Sequence, residues 1–281
     1  MLALCPNPYR DTDLHFTRQA IELLRENGFE SVLCPVFTEG ETEKEFAGVP
    51  TADIREVAGD CSLAVVIGGD GTVLAVARKL HGIALPLLGI NLGTKGFMTA
   101  LEPDELPLIV KAARGELHIS RRMMLDVTLI RDGETLYTDC ALNDAVLHGY
   151  GECVQITAWC DGERMTGFNG DGVVLSTPTG STGYSMSAGG PIVEPDAESI
   201  LLSPICAHVM GARPFVMAPT REITVKAEMQ QGREAYLSVD GNSVFDLSSG
   251  DIMTVKRSQN YTLMADLGRK SFYENAYEKL K

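Results

Sequence analysis

Apolar and polar positions change their rhythm partway along this chain. In the first part, short apolar runs alternate with helical spacing. Leu2–Cys5 predicts a buried strand, ended by Pro6-Asn7-Pro8. Phe16, Ala20, Leu23 and Leu24 recur at helical intervals, and Asn27-Gly28 stops that helix. Ser31–Pro35 predicts a second strand and Ala52–Val57 a short helix. Leu63–Ile67 predicts a third strand, Val73–Leu80 the helix after it, Leu85–Ile90 a fourth strand and Leu106–Arg114 a helix ended by Gly115. Such alternation implies a mostly parallel sheet with helices on its faces. Ligands of such sheets bind at the carboxyl ends of the strands. The loops after Ile67 and Ile90 both lie there, so they are expected to converge.

After about residue 120 the period becomes two. Leu125, Val127 and Leu129 alternate with their neighbours up to Asp132-Gly133, and Val154, Ile156 and Ala158 do so up to Asp161-Gly162. Asp-Gly between alternating runs is a hairpin signal. Ile223–Ala227, Tyr236–Val239 and Ile252–Val255 are further strand-like runs. This half reads as all-β, and the change near Gly115–Arg121 marks a domain boundary. The chain contains no internal repeat.

Charge narrows the partners. The 24 basic and 38 acidic residues give a net charge of −14. That disfavours nucleic acid and anionic membranes, which need basic footprints. Anionic substrates must then be held by local donors against the global field. The seven cysteines are scattered with no Cys-x-x-Cys pair, so neither a disulfide framework nor a zinc site is expected, and a reducing cytoplasm is the expected setting. The opening residues are too short in apolar character for a signal peptide, and no window approaches the roughly 20 apolar residues of a membrane span.

Candidate chemistry concentrates in two segments. Ala64-Val65-Val66-Ile67 runs into Gly68-Gly69-Asp70-Gly71-Thr72 and then into a helical pattern. Glycines permit positive φ and a close approach of ligand, and N–H groups at such a turn bind phosphate. A carboxylate facing phosphate holds a metal ion or takes a proton from a hydroxyl nucleophile, and both readings of Asp70 point to phosphoryl transfer. The structural alternative is a strand-to-helix turn with Asp70 as N-cap. The second segment, Asn169 to Pro191, contains Ser176-Thr177-Pro178-Thr179-Gly180-Ser181-Thr182 between apolar and small residues. Its hydroxyls and N–H groups suit a polyhydroxylated or phosphorylated ligand, and its neighbours argue for packing inside the protein rather than a surface loop.

Together these segments resemble the NAD kinase family. The resemblance extends to Asn91 through Met98, to Leu142-Asn143-Asp144, to Ser203 through His208 with Arg213-Pro214, and to Asp240-Gly241. It spans about residues 60 to 245 in family order. Gly-Gly-Asp-Gly-Thr alone is shared with diacylglycerol kinases and is similar to a motif in phosphofructokinases; the Thr-Pro-Thr-Gly-Ser-Thr segment is far more specific. The resemblance implies a Rossmann-like three-layer α/β domain at residues 1–118, then a β-sandwich-like domain at 119–265 that carries NAD-binding loops. It also implies that residues 266–281 pack back on the first domain through Phe272, Tyr273, Tyr277 and Leu280.

The implied reaction moves the γ-phosphoryl of ATP to the 2′-hydroxyl of the adenosine ribose of NAD, with Mg²⁺ or another divalent metal. Asp70 is the candidate base, with a role as metal ligand left open. Gly68, Gly69, Gly71 and Thr72 are candidate N–H donors to phosphate. Asp70 and Gly71 are also expected to touch NAD. Asn143 matches the residue that recognises the adenosine, and Asp144 one that binds a ribose hydroxyl; the alternative for this pair is a strand-end turn. Asp171 matches the residue near the nicotinamide amide, Phe97 an aromatic at the adenine, and Thr182, Tyr184 and Ser187 residues lining the groove. Gly183 replaces a more usual Ala, Asn169 stands where many members carry Arg, and Met98 where some carry Tyr. A homodimer or homotetramer is implied.

His208 has a structural, interface or catalytic reading, whereas His15, His81, His118 and His148 show no ligand spacing. Arg121-Arg122 reads as surface, Cys61 and Cys160 as packed thiols, and Glu39 to Glu45 as a solvated acidic loop. A kinase acting on a lipid or sugar hydroxyl and a non-catalytic dinucleotide-binding protein are the competing readings.

Overall fold

The structure, a computed structural model, describes residues 1–37, 45–94, 96–151, 153–229, 233–241 and 243–281. The acidic loop read from Glu39 onward lies outside the described residues up to position 44. The chain divides into two compact units, Met1–Arg121 with Tyr261–Lys281, and Arg122–Asn260.

The first unit holds a parallel sheet. Leu2–Pro6 pairs on one side with Ser31–Leu33 and on the other with Leu63–Gly68, which pairs with Leu87–Asn91. The end of the long strand Ile252–Asp266 adds to Leu87–Asn91 through Met264. Leu2–Pro6, Ser31–Leu33, Leu63–Gly68 and Leu87–Asn91 are buried along their whole length, as near-continuous apolar runs of a parallel sheet require. Leu2, Leu4, Val65, Ile67, Leu88 and Ile90 share one core with Ala20, Ile21 and Leu24 of the helix His15–Glu26 and with Ile109. The helix Asp70–Lys79 packs on the Leu63–Gly68 and Leu87–Asn91 strands, giving three layers.

Two details differ from the sequence pattern. The expected Leu106–Arg114 helix begins as a 3₁₀ turn, Pro103–Leu108, and becomes α only at Ile109–Ala113. Pro103 starts it and Gly115, at φ +83°, follows its end. The terminal helix Phe272–Lys279 buries no residue, and Tyr273 and Tyr277 are exposed. Ion pairs tie this region to the start of the Pro103–Leu108 turn instead, Lys279 to Glu102 at 3.0 Å and Arg269 to Glu105 at 3.1 Å.

The second unit is an antiparallel sandwich. One sheet runs Glu163–Gly170, Val154–Cys160, Ile223–Glu228 and the start of the Ile252–Asp266 strand. The other runs Phe215–Met217, Ile200–Ile205, Gly172–Ser176, Asp144–Gly149, Ala235–Val239 and Ser243–Leu247. Inward residues such as Ile156, Val225, Leu147, Leu175, Leu202 and Leu237 form the core between them. The Asp132-Gly133 and Asp161-Gly162 hairpins form as expected, with both residues of each turn at positive φ. Ile200–Ile205 and Gly172–Ser176 are buried on both faces and therefore show no alternation.

Leu88 is fully buried at the centre of the parallel sheet. Leu88→Ala is expected to cost about 2–5 kcal/mol in urea unfolding, since it removes contacts on a face that cannot collapse.

Candidate active site

The turn after Leu63–Gly68 is set by space rather than by left-handed backbone. None of Gly68, Gly69 and Gly71 has positive φ, contrary to the expectation for this loop. A Cβ on Gly68 would lie 2.2 Å from Thr72 Oγ1. That hydroxyl is buried and accepts from Asn7 Nδ2 at 2.9 Å and from the Gly69 N–H at 3.3 Å. The Thr72 N–H donates to Gly69 O at 2.9 Å. Two of the four N–H donors expected for phosphate therefore close the turn itself. Gly71, second in the Asp70–Lys79 helix, stays in the first turn, where N–H groups lack intrahelical partners.

Gly69 is the N-cap of this helix, and Asp70 is its first residue. The Asp70 carboxylate reaches across to the neighbouring loop instead of capping. Its Oδ2 accepts from the Phe97 N–H and its Oδ1 from the Met98 N–H, both at 2.9 Å. Each oxygen keeps a further lone pair for a hydroxyl. The loop is braced from below. Asn91 Oδ1 accepts from the Gly93 N–H at 3.0 Å while Asn91 Nδ2 donates to Glu102 at 3.1 Å. Gly96 sits at φ +65° where a Cβ would lie 2.7 Å from the Asn91 amide. The Leu92 N–H donates to Gly68 O at 2.6 Å, so the two loops converge as their strand ends imply.

The second unit presents another carboxylate-centred turn. Asp240 Oδ2 accepts from the Leu142 N–H at 2.8 Å, and its Oδ1 accepts from Asn143 at 2.8 Å and Asp144 at 3.0 Å. The Asp240 N–H returns a bond to Asp144 O at 2.9 Å. Asp240 is thus the residue that shapes the Asn143-Asp144 turn. The sequence signal for it was the Asp-Gly pair after Tyr236–Val239. Both Asp144 and Asp240 are buried. Burial first, and then the Asp240 charge, push the Asp144 carboxyl up to about 7. Burial also raises Asp240, against the lowering effect of its three N–H bonds.

The Ser/Thr-rich segment packs inside the protein, with Ser176, Thr177, Thr179, Ser181 and Ser185 buried. Several hydroxyls build the loop rather than offer themselves to ligand. Thr177 Oγ1 donates to Leu142 O at 2.6 Å, Ser181 Oγ to Val193 O at 3.1 Å, and Ser185 Oγ meets Ser203 Oγ at 2.9 Å. Thr182 Oγ1 turns back to Thr179 O at 3.4 Å. A Cβ on Gly180 would lie 2.2 Å from Asn143 O, so this glycine lets the Asn143 turn sit against the loop. A Cβ on Gly183 would lie 3.7 Å from Asn143 Nδ2 and 3.9 Å from Asp144 Oδ2. The space an alanine would fill here therefore borders both side chains. Asn143 Oδ1 is buried with no hydrogen-bond partner.

Tyr184 and Ser187 bound the short helix Tyr184–Ser187 and are exposed. The Tyr184 hydroxyl is pushed up by burial and then by Tyr236, Cys206, Asp171 and Asp144. The rings of Tyr184 and Tyr236 both stack on His148, with centroids 6.5 and 5.7 Å away. Asp171 accepts from the Cys206 thiol, which raises that thiol, and Cys206 holds φ +46°. Spacing alone showed no role for His148, Tyr236 or Cys206. Among the described residues no three His, Cys, Asp or Glu side chains converge as a metal site.

Residues 3–113 match the family profile described as the ATP-NAD kinase N-terminal domain, and residues 143–267 match the ATP-NAD kinase C-terminal domain. The chain is similar to an NAD kinase of Geobacter metallireducens, 38% identical over 238 residues that make up 84% of this chain and 83% of that protein. Among solved structures it resembles a yeast NADH kinase complexed with NADH, with TM-score 0.84 and 25% identity over 99% of this chain and 86% of that one. It also resembles an NAD kinase from Archaeoglobus fulgidus in complex with ATP, with TM-score 0.77 and 26% identity over 100% and 98% of the two chains.

The raised Asp144 carboxyl carries a stability signature. Its folded pKa lies above the unfolded value of 3.8, so the folded state binds more protons between that value and about 7. Stability conferred by the protonated form is present below pH 4 and is lost as pH rises toward 7. Asp144→Asn is therefore expected to match wild type in urea unfolding near pH 4 and to exceed it at pH 8, by up to about 4 kcal/mol.

Proposed function

The chain belongs to the NAD kinase family, which transfers the γ-phosphoryl of ATP to the 2′-hydroxyl of the adenosine ribose of NAD, and we propose that Asp70 is the base of that transfer. The observation that carries this reading is the anchoring of both Asp70 oxygens by the Phe97 and Met98 N–H groups at the carboxyl end of a parallel strand. A carboxylate so fixed can accept the ribose proton without reorienting as the hydroxyl attacks phosphorus. The transferring phosphoryl carries negative charge, and we assign the Gly68–Thr72 turn to the ATP phosphates, with the Gly71 N–H as its foremost donor.

Mg²⁺ is the expected metal. The residues present do not fit a protein-held site, because Asp70 is a single carboxylate and no cluster of three ligands exists among the described residues. No step is therefore assigned to a metal held by this chain. In this reading Mg²⁺ is carried by the ATP phosphates, which suits its preference for phosphate and water oxygens.

For NAD, we assign the adenosine to Asn143, whose amide both donates and accepts. Its buried, unpartnered Oδ1 supports this. Asp144 takes a ribose hydroxyl and Asp171 the nicotinamide amide. Thr182, Gly183, Tyr184 and Ser187 line the groove, and Phe97 meets the adenine. We place the enzyme in the cytoplasm, a setting consistent with seven free thiols. No helix among the described residues is long and apolar enough to cross a membrane. A homodimer or homotetramer is proposed, built through the second unit, where Val209, Met210 and Val216 are exposed.

The purified protein with Mg²⁺, ATP and NAD is expected to yield NADP, detected with an NADP-specific dehydrogenase. Absence of NADP from folded, NAD-binding protein would contradict the reading. Asn143→Ala is expected to weaken NAD binding by about 1–3 kcal/mol in calorimetry, and unchanged affinity would reject its role.

A further inference from the structure

A second chemical grouping is built from residues not assigned to NAD or ATP in the proposed function. The second unit contains a cavity of about 220 Å³ whose lining includes Cys153, Gln155, Asn169, His208, Glu228 and Arg233. Cys153 Sγ is 3.6 Å from His208 Nδ1, within hydrogen-bonding range for sulfur. Each partner is fixed through its backbone. Arg233 Nη1 donates to Cys153 O at 2.7 Å, and the His208 N–H donates to Asn169 O at 2.8 Å. A thiol beside an imidazole is the arrangement of a nucleophile with its base. One guanidinium and one carboxylate, of Arg233 and Glu228, line the same cavity as the thiol, and Glu228 is itself paired with Lys226 at 2.7 Å.

We propose that Cys153 is a modification site that exchanges with small zwitterionic disulfides of the amino-acid type, with His208 as the proton acceptor. Arg233 would take the carboxylate of the entering half and Glu228 its ammonium group. His208 Nδ1 accepts the Cys153 proton. The sulfur then attacks one sulfur of the disulfide, forming a Cys153 mixed disulfide and breaking the S–S bond. The leaving thiolate takes the proton from the imidazolium and departs as the free thiol. Thiol and disulfide are thus interchanged with no net redox change.

The remaining cysteines are poor competitors. Burial pushes the Cys34 and Cys140 thiols up to about 12 and raises Cys5, Cys61 and Cys160. Cys206 is exposed, yet its bond to Asp171 disfavours its thiolate. A half-cystine on Cys153 also has a route to the dinucleotide residues. It would displace His208, whose N–H holds Asn169, two positions before Asp171. This consequence, unlike the site itself, rests on the role proposed for Asp171.

The test treats the full-length protein with cystine at pH 7 and maps adducts on each cysteine by peptide mass spectrometry over time. Cys153 is expected to react about tenfold faster than Cys206, and His208→Gln to lower the Cys153 rate by about tenfold. Equal rates at Cys153 and Cys206, or an unchanged rate in His208→Gln, would overturn the proposal. Cys153→Ser is expected to keep the untreated activity and to resist cystine, whereas treated wild type shows a raised KM for NAD. A Cys153 adduct with unchanged KM would sustain the site and overturn its coupling to Asp171.

Discussion

Two carboxylates, one half-buried and one buried, each tied to successive backbone N–H groups, are what the rest of this structure is arranged around. A buried carboxylate without donors is strongly unfavourable, and each charge-assisted hydrogen bond offsets part of that cost. In the first unit Asp70 receives two loop N–H groups, and in the second Asp240 receives three in succession. Both carboxylates organise the loops that deliver the candidate chemistry. Phe97 and Met98 are set by Asp70, and Asn143 and Asp144 by Asp240. The glycines at positions 68, 96 and 180 follow from the same requirement, since a Cβ at each would collide with the side chain or turn it supports.

This arrangement suits a chain of net charge −14 that must bind two polyanionic nucleotides. Backbone donors hold phosphate and carboxylate alike without adding a flexible cationic side chain. The lysines and arginines of the described ion pairs are mainly engaged elsewhere, as with Arg131 on Asp251 and Lys279 on Glu102. In the proposed reading, local donors rather than the overall field hold the nucleotides.

Much of the fold was legible because its periods are simple. The Leu63–Gly68 strand and the two Asp-Gly hairpins appear within a residue or two of their expected places, the helix after the strand starts three residues earlier than expected, at Asp70, and the convergence of the Asp70 and Asn91 loops followed from strand polarity. The Ile200–Ile205 and Asp144–Gly149 strands escaped, because burial on both faces erases alternation. The C-terminal helix was expected to pack through aromatic residues and is held by ion pairs instead, a distinction that apolar content does not carry. At the site, residue types were readable while partners were not. Asp70 looked like an N-cap or a base, but its bonds reach 27 and 28 positions along the chain. The hydroxyls of Thr177 and Ser181 looked available to a ligand, yet Thr177 is tied to Leu142 O and Ser181 to the backbone of Val193.

If Asp70 is the base, as proposed, its loss removes chemistry far more than it removes its contact with NAD. The most direct measurement compares wild type and Asp70→Asn for NAD affinity by calorimetry and for single-turnover phosphoryl transfer from saturating ATP. Near-wild-type affinity is expected, because the amide oxygen keeps one of the two loop N–H bonds, together with a transfer rate lowered by about 10²- to 10⁴-fold. A variant that binds NAD normally and transfers phosphoryl at the wild-type rate would contradict the proposal.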